Sequence, residues 1–291
     1  MMGTLIRRWL PVFLLILGLA PGSQAGVKAP EPVIVLTALG TSTAAFDTYR
    51  HLEGKARERF PGHQIRWAFT SRKVRHKVAR EQGKDLKDLG QTLKELEAAG
   101  VSRVVVQSLH LVPGEEWEKK IVAETRKTPG LRVALGKPLL AGDKDQERVL
   151  KALGRTLPAD LKTQAVILVG HGSPHPQGEQ AYLAFNRLLR SRYAGKNVYL
   201  AVIGGKPERD AAFSAVKRSG ASRVLLAPFL LVAGEHVDKD LLGPDPESWK
   251  SRLQALGIKE VEGARRGLGY NEEIINIYLD HLQEALRVLN N

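Results

Sequence analysis

At 291 residues, with 43% apolar and 26% charged content, the chain has the balance of a folded globular protein of one large domain or two moderate ones, which excludes wholesale disorder. It contains no cysteine, so disulfides and thiolate metal sites are excluded and any metal must rest on His, Asp or Glu. Forty-four basic residues against 31 acidic ones give a net charge of +13, a surplus that attracts anions such as nucleic acid, acidic lipid or a polycarboxylate.

Residues 1–25 read as a secretory signal. Arg7 and Arg8 precede an apolar stretch from Trp9 to Ala20 and a Pro-Gly break, and Ser23 and Ala25 supply the small residues of a cleavage site before Gly26. The stretch is short for a membrane span and no later segment approaches one, so the expectation is a periplasmic protein with no span left after cleavage. Cleavage removes two arginines and no acids, taking the charge from +13 to +11. Export and the lack of a recognition motif argue against nucleic acid as a partner.

The remaining chain alternates apolar runs with helical patterns. VIVLTALGTS (33–42) and VILVGHGSP (166–174) are both β-branched runs that end in a glycine-plus-hydroxyl turn; aligning Gly40 with Gly172 sets Leu39 opposite His171. RWAFTS (66–71) aligns with YLAVIG (199–204). At an offset of 120, GVSRVVVQSLHLVPGEEW from Gly100 repeats as GASRVLLAPFLLVAGEHV from Gly220, with Gly100, Ser102, Arg103, Val104, Leu111, Val112, Gly114 and Glu115 identical to their counterparts. In that register Glu116 falls opposite His236. Apolar positions spaced three and four apart predict helices at 45–60, 86–99, 115–127, 143–156, 179–193, 207–219 and 271–289. Gly100 and Gly220 close two of them.

Continuously apolar strands alternating with helices belong to parallel sheets covered on both faces. The expectation is an α/β protein of two similar doubly wound lobes, 30–140 and 141–291, related by pseudo-twofold symmetry across a central cleft, with the last helix packing back on the first lobe. In such sheets ligands sit beyond the carboxyl ends of the strands. His171, Glu116 and His236 all fall there. Glu115 competes with Glu116 for the same role, or simply places charge at the start of a helix. Gly40-Thr41-Ser42 and Gly172-Ser173 offer backbone N–H groups to carboxylates, and Ser71, Gly204 and Gly205 stand at equivalent strand ends as walls. His110 reads as a hydrogen-bonded core residue on a strand and His175 as a lip residue of the cleft. His51, His63, His76 and His281 read as surface residues, any of which could ligate haem at a contact in a homo-oligomer. Trp67, Trp117 and Trp249 read as core or interface.

The motifs ALGTS, AFTSRKV, residues 107–121, VGHGSPH, LLVAGEHVDKD and SWKSRLQALGI, in order from about Val33 to Leu289, resemble the single-chain sirohydrochlorin cobaltochelatases of the anaerobic cobalamin pathway, within the class II chelatase superfamily. The resemblance implies a bilobal chelatase-like fold, ATP-independent insertion of Co²⁺ into a tetrapyrrole polycarboxylate, and metal ligation by His171, His236 and Glu116. Imidazole and carboxylate suit a divalent ion such as Co²⁺ when thiolates are absent, and three protein ligands leave positions open for substrate nitrogens. Histidine, with an unperturbed pKa of about 6.5, can also take up a proton near neutrality. Nothing in the ligand set separates Co²⁺ from Fe²⁺. Cobalamin assembly is usually cytoplasmic, so the signal leaves open an iron product, bound haem, or an exported tetrapyrrole or metal carrier without turnover.

Overall fold

All six residues of Val33–Ala38 are buried. That run forms strand β1, covered on both faces, which is why it is continuously apolar instead of alternating. The computed structural model describes residues 30–234 and 237–291, and the expected signal at 1–25 lies outside the described residues. After β1 the first lobe runs through α1 (Asp47–Arg59), β2 (Ile65–Phe69), α2 (Arg72–Gln82), α3 (Leu89–Ala98) and β3 (Arg103–Ser108). A broken helical stretch follows, made of α4 (Glu115–Trp117), a π-helical turn (Glu118–Val122) and α5 (Ala123–Thr125), before β4 (Arg132–Gly136). The second lobe holds α6 (Asp143–Gly154), β5 (Gln164–Gly172), α7 (Pro176–Arg192), β6 (Val198–Gly204), α8 (Arg209–Ser219) and β7 (Arg223–Pro228). It continues with a π-helical turn (Val237–Leu241), α9 (Trp249–Ala255), β8 (Glu260–Gly263) and α10 (Glu272–Asn290). No helix among the described residues is long and apolar enough to cross a membrane.

The two sheets are parallel throughout and have the same order, β2-β1-β3-β4 and β6-β5-β7-β8. This is the α/β architecture of two similar lobes that the repeats predict, and the duplication extends to individual hydrogen bonds. Leu109 N–H donates to Thr37 O in one lobe and Phe229 N–H to Val169 O in the other, each at 2.8 Å. Leu139 N–H donates to His110 O at 3.0 Å and Leu268 N–H to Leu230 O at 2.8 Å, at matched positions. A π-helical turn follows the glycine loop in both lobes.

Facing sides of the sheets share one core. Ile34 and Leu36 of β1, Val166 and Leu168 of β5, and Ile274, Tyr278 and Leu282 of α10 belong to a single apolar cluster. The outer faces of the two sheets carry separate clusters under their own helices. Each fully buried aliphatic side chain contributes about 1.5–3 kcal/mol, so the shared cluster ties the lobes together. Helix α10 begins where Asn271 accepts the N–H groups of Glu273 and Ile274 at 3.0 and 3.2 Å, and it packs against β3 and β4 of the first lobe.

Three local expectations are corrected. Helix α2 lies outside the predicted set: Val78 is its one buried residue, so it carries little apolar periodicity, and it is defined instead by the Ser71 cap and by Gly83 in the left-handed conformation at φ 64°. Residues 229–234, which continue the apolar run of the second repeat, are not strand, because β7 ends at Pro228. Phe229 remains fully buried because it stacks on Phe185 of α7, with ring centroids 5.0 Å apart. The predicted helix at 115–127 is present but interrupted by its π-helical turn.

Candidate metal centre

Each lobe builds a glycine turn at the carboxyl end of its first strand and holds it with a buried tyrosine. Gly40 and Gly172 adopt φ of +101° and +90°, a region that glycine enters without penalty. The Gly40 N–H donates to the Tyr49 hydroxyl of α1 at 3.1 Å. In the second lobe the Tyr182 hydroxyl of α7 meets the backbone of Gly172 and His171; burial pushes it up to about 12, with those backbone bonds opposing the rise. The turn presents Leu39 in one lobe and His171 in the other, and both are exposed. Gly172 also pairs in register with Gly204, and a Cβ placed on it would lie 1.8 Å from the Gly204 carbonyl oxygen. His171 is therefore set at the end of β5 by a backbone with no room to shift.

The hydroxyls expected near these turns are engaged within them. Thr41 and Thr43 bond to each other at 3.1 Å, and Ser173 Oγ accepts the His175 N–H at 3.2 Å. The Ser42 backbone carbonyl, not its hydroxyl, accepts from Gln82 at 2.9 Å, and Ser71 Oγ accepts the Val74 N–H as the α2 cap. Gly204 ends β6, and Gly205 turns the chain with φ of +94°.

The lobes interlock through reciprocal contacts. A Cβ on Gly114, in the loop after β3, would stand 2.8 Å from Ser173 Oγ of the second lobe. A Cβ on Gly234, at the matching place after β7, would stand 3.2 Å from Thr41 Oγ1 of the first. Each glycine loop thus seats on the other lobe's glycine-hydroxyl turn. Glu116 follows Gly114 by two residues, as His236 follows Gly234. His236 lies outside the described residues.

Structure separates the two candidate carboxylates. Glu115 is partly exposed and bonds to Lys119 at 2.7 Å; that bond holds its carboxyl below the usual range. Glu116 Oε2 is buried without a hydrogen-bond partner. An unpaired buried acceptor costs about 1–3 kcal/mol, more when it is charged, so of the two carboxylates Glu116 is the one whose oxygen still has room for a partner. Among the described residues no three His, Asp or Glu side chains gather as a metal set. His171 and Glu116 are the described members of the expected trio.

Other histidines sort by their surroundings. His110 lies two residues past the end of β3, not on the strand, and its ring bridges Ser108 Oγ at 3.1 Å and Thr70 Oγ1 at 3.2 Å. Burial pulls it down to about 4, so it is neutral at ordinary pH. His175 is half-buried at the lobe seam, and its Nδ1 is buried without a partner. His76 is exposed, and His51 stacks on Tyr270 at the surface. His281, expected at the surface, is instead buried on α10, where Nδ1 donates to Lys137 O at 3.0 Å and Nε2 lies 3.0 Å from Asp145. It falls four residues after Ile277, three after Tyr278 and four before Ala285, so the helical spacing itself puts it on the apolar face. Trp249 is buried in the core as expected.

Comparison with known proteins bears on the family and the fold. The model of the cobalt chelatase (CbiK) family matches residues 32–287. A sirohydrochlorin cobaltochelatase of Nitratidesulfovibrio vulgaris is 37% identical over 281 residues, covering 92% of this chain and 98% of the relative. One from Salmonella typhimurium is 33% identical, covering 78% of this chain and 85% of its own. Among solved structures, SirB from Bacillus subtilis with Fe³⁺ superposes with a TM-score of 0.59 at 18% identity, over 88% of this chain and 96% of SirB. The sirohydrochlorin chelatase SirB from the subspecies spizizenii in complex with cobalt gives 0.60 at 17% identity over the same shares; at such identities the likeness is one of fold. With nearly its whole described length matched, the chain belongs to the CbiK family of cobalt chelatases.

Proposed function

We propose that this protein inserts Co²⁺ into sirohydrochlorin without ATP, with His171, Glu116 and His236 as the residues that hold the metal substrate. The observation that carries the assignment of roles is the buried, unpartnered Glu116 oxygen beside two loops that seat reciprocally on the opposite lobe. The family relationship supports the chemistry, since the relatives that match at 37% and 33% identity are sirohydrochlorin cobaltochelatases.

The reaction exchanges one divalent cation for two pyrrole N–H protons. Two imidazoles and one carboxylate hold the ion with positions left for ring nitrogens, and an imidazole freed from the metal can take up a departing proton. The negative charge of Glu116 favours both the ion and the protons near the seam. The Gly40 N–H is taken by Tyr49, so carboxylates of the macrocycle that dock at these strand ends would meet the remaining backbone N–H groups of the two turns. We further propose that the protein acts after export, on the strength of the signal pattern at 1–25; a mature N-terminus at Gly26, read by mass spectrometry of the periplasmic fraction, is the expected result.

An absorbance assay with purified protein, sirohydrochlorin and Co²⁺ tests the activity. Removing a partner of a metal ligand typically costs 10–100-fold, so loss of a ligand itself, in His171→Ala, His236→Ala or Glu116→Ala, should lower kcat/KM by about 100-fold or more. Stoichiometric binding without turnover would mark a carrier instead. The same assay with Fe²⁺ ranks the two metals.

A further inference from the structure

Glu116 Oε2 and His175 Nδ1 are both among the buried side-chain atoms that have no hydrogen-bond partner in the described residues. Both flank a single backbone approach. Glu116 stands two residues beyond Gly114 and His175 two beyond Ser173, and those two residues meet where a Gly114 Cβ would come within 2.8 Å of Ser173 Oγ. One helical turn past His175, a Cβ on Gly178 would lie 3.1 Å from the Gly114 Cα. His175 also has a fixed backbone, its N–H donating to Ser173 Oγ at 3.2 Å and its C=O accepting from Glu179 N–H at 3.0 Å. The other carboxylate of the loop does not compete, because Glu115 is committed to Lys119.

We propose that Glu116 Oε2 and His175 Nδ1 form an entry site for the divalent metal substrate at the lobe seam, from which the ion passes to His171. An imidazole nitrogen and a carboxylate oxygen are the donor types that Co²⁺ and Fe²⁺ accept. Two protein ligands leave the rest of the coordination sphere to water, so the ion is held weakly enough to move on. Glu116 belongs to both sets and is the pivot of the transfer. This inference rests on the reading of Glu116 as a ligand of the metal substrate.

The test uses the full-length protein. Co²⁺ alone is titrated into wild type, His175→Ala and His175→Gln, followed by calorimetry and by the visible bands of bound Co²⁺; steady-state turnover then gives KM for Co²⁺ and for sirohydrochlorin separately. Both variants should bind Co²⁺ about tenfold more weakly and show a matching rise in KM for Co²⁺. KM for sirohydrochlorin should stay level, with kcat falling less than about threefold. His175→Gln keeps a polar side chain of similar reach, so agreement between the variants separates ligation from a packing defect. An unchanged KM for Co²⁺, or a loss confined to kcat, would overturn the proposal while leaving the chelatase reading intact. Co²⁺ binding that depends on His175 in a wild-type protein without turnover would do the reverse.

Discussion

His110 is a histidine whose surroundings deny it a charge. Ser108 Oγ already accepts the His110 N–H at 3.3 Å, so its proton is free to go to Nδ1, which leaves Nε2–H to donate to Thr70. The ring is a neutral strut between the ends of β3 and β2. Because its folded pKa, about 4, is below the unfolded value of about 6.5, the unfolded chain binds the extra proton first as pH falls. The stabilisation is therefore complete above about pH 6.5 and is lost on the way down to about pH 4, with a slope of up to ~1.4 kcal/mol per pH unit. Urea unfolding of wild type and His110→Gln across that window should show the slope in wild type and its loss in the variant; parallel pH dependences would refute the assignment. Much at this scale was legible. His171 follows from a histidine between two glycines at a strand end, and the glycine loops follow from the repeat. Which of Glu115 and Glu116 turns an oxygen inward did not, because adjacent identical residues differ only in how α4 places them. His281 was missed although the three-and-four spacing of Ile277, Tyr278 and Ala285 puts it on the apolar face of α10; a polar residue type outweighed its position in the pattern.

Strand ends decide where these side chains point, and glycine decides the strand ends. At Gly172 two demands coincide: a φ of +90° and a site for Cβ only 1.8 Å from the Gly204 carbonyl. Its partner Gly204 has nothing within 4 Å of an added Cβ. Gly172→Ala should cost about 2–4 kcal/mol, the sum of left-handed strain and a forced shift of β6, whereas Gly204→Ala should stay within about 0.5 kcal/mol. Chemical denaturation of the pair checks this, and equal effects would show that the β5–β6 pairing is not what fixes His171. The strands themselves were readable because both of their faces are buried, which leaves an uninterrupted apolar signal. Helix α2 was not, since it buries a single residue and depends on capping at Ser71 and Gly83. Phe229 is as buried as a strand residue, yet it lies past the end of β7 and stacks on Phe185.

Duplication at the scale of the whole molecule creates a difficulty, because two lobes with separate cores would be free to part and the site between them would open. Two features prevent this. The facing sides of the sheets share one apolar cluster, and α10, which follows the second lobe in sequence, covers β3 and β4 of the first. Tyr278 of α10 donates to the carbonyls of Leu109 and His110 at 3.2 and 3.3 Å, just ahead of the loop that carries Glu116. Burial and the nearby Tyr182 push its hydroxyl well above the usual tyrosine value, so it remains a donor at any working pH. Asp280 bonds to Arg59 and Arg148 at the exposed edge of the same helix, a surface network worth less than the buried contacts. The lobes should therefore unfold together. Calorimetry should give one transition whose calorimetric and van't Hoff enthalpies agree. Tyr278→Phe, losing a buried hydrogen bond worth about 1 kcal/mol, should move that transition down by about 2–4 °C without splitting it. Two transitions, with Tyr278→Phe shifting only the one assigned to the first lobe, would mean that the lobes are independent and that the seam is held by something other than α10 and the shared core.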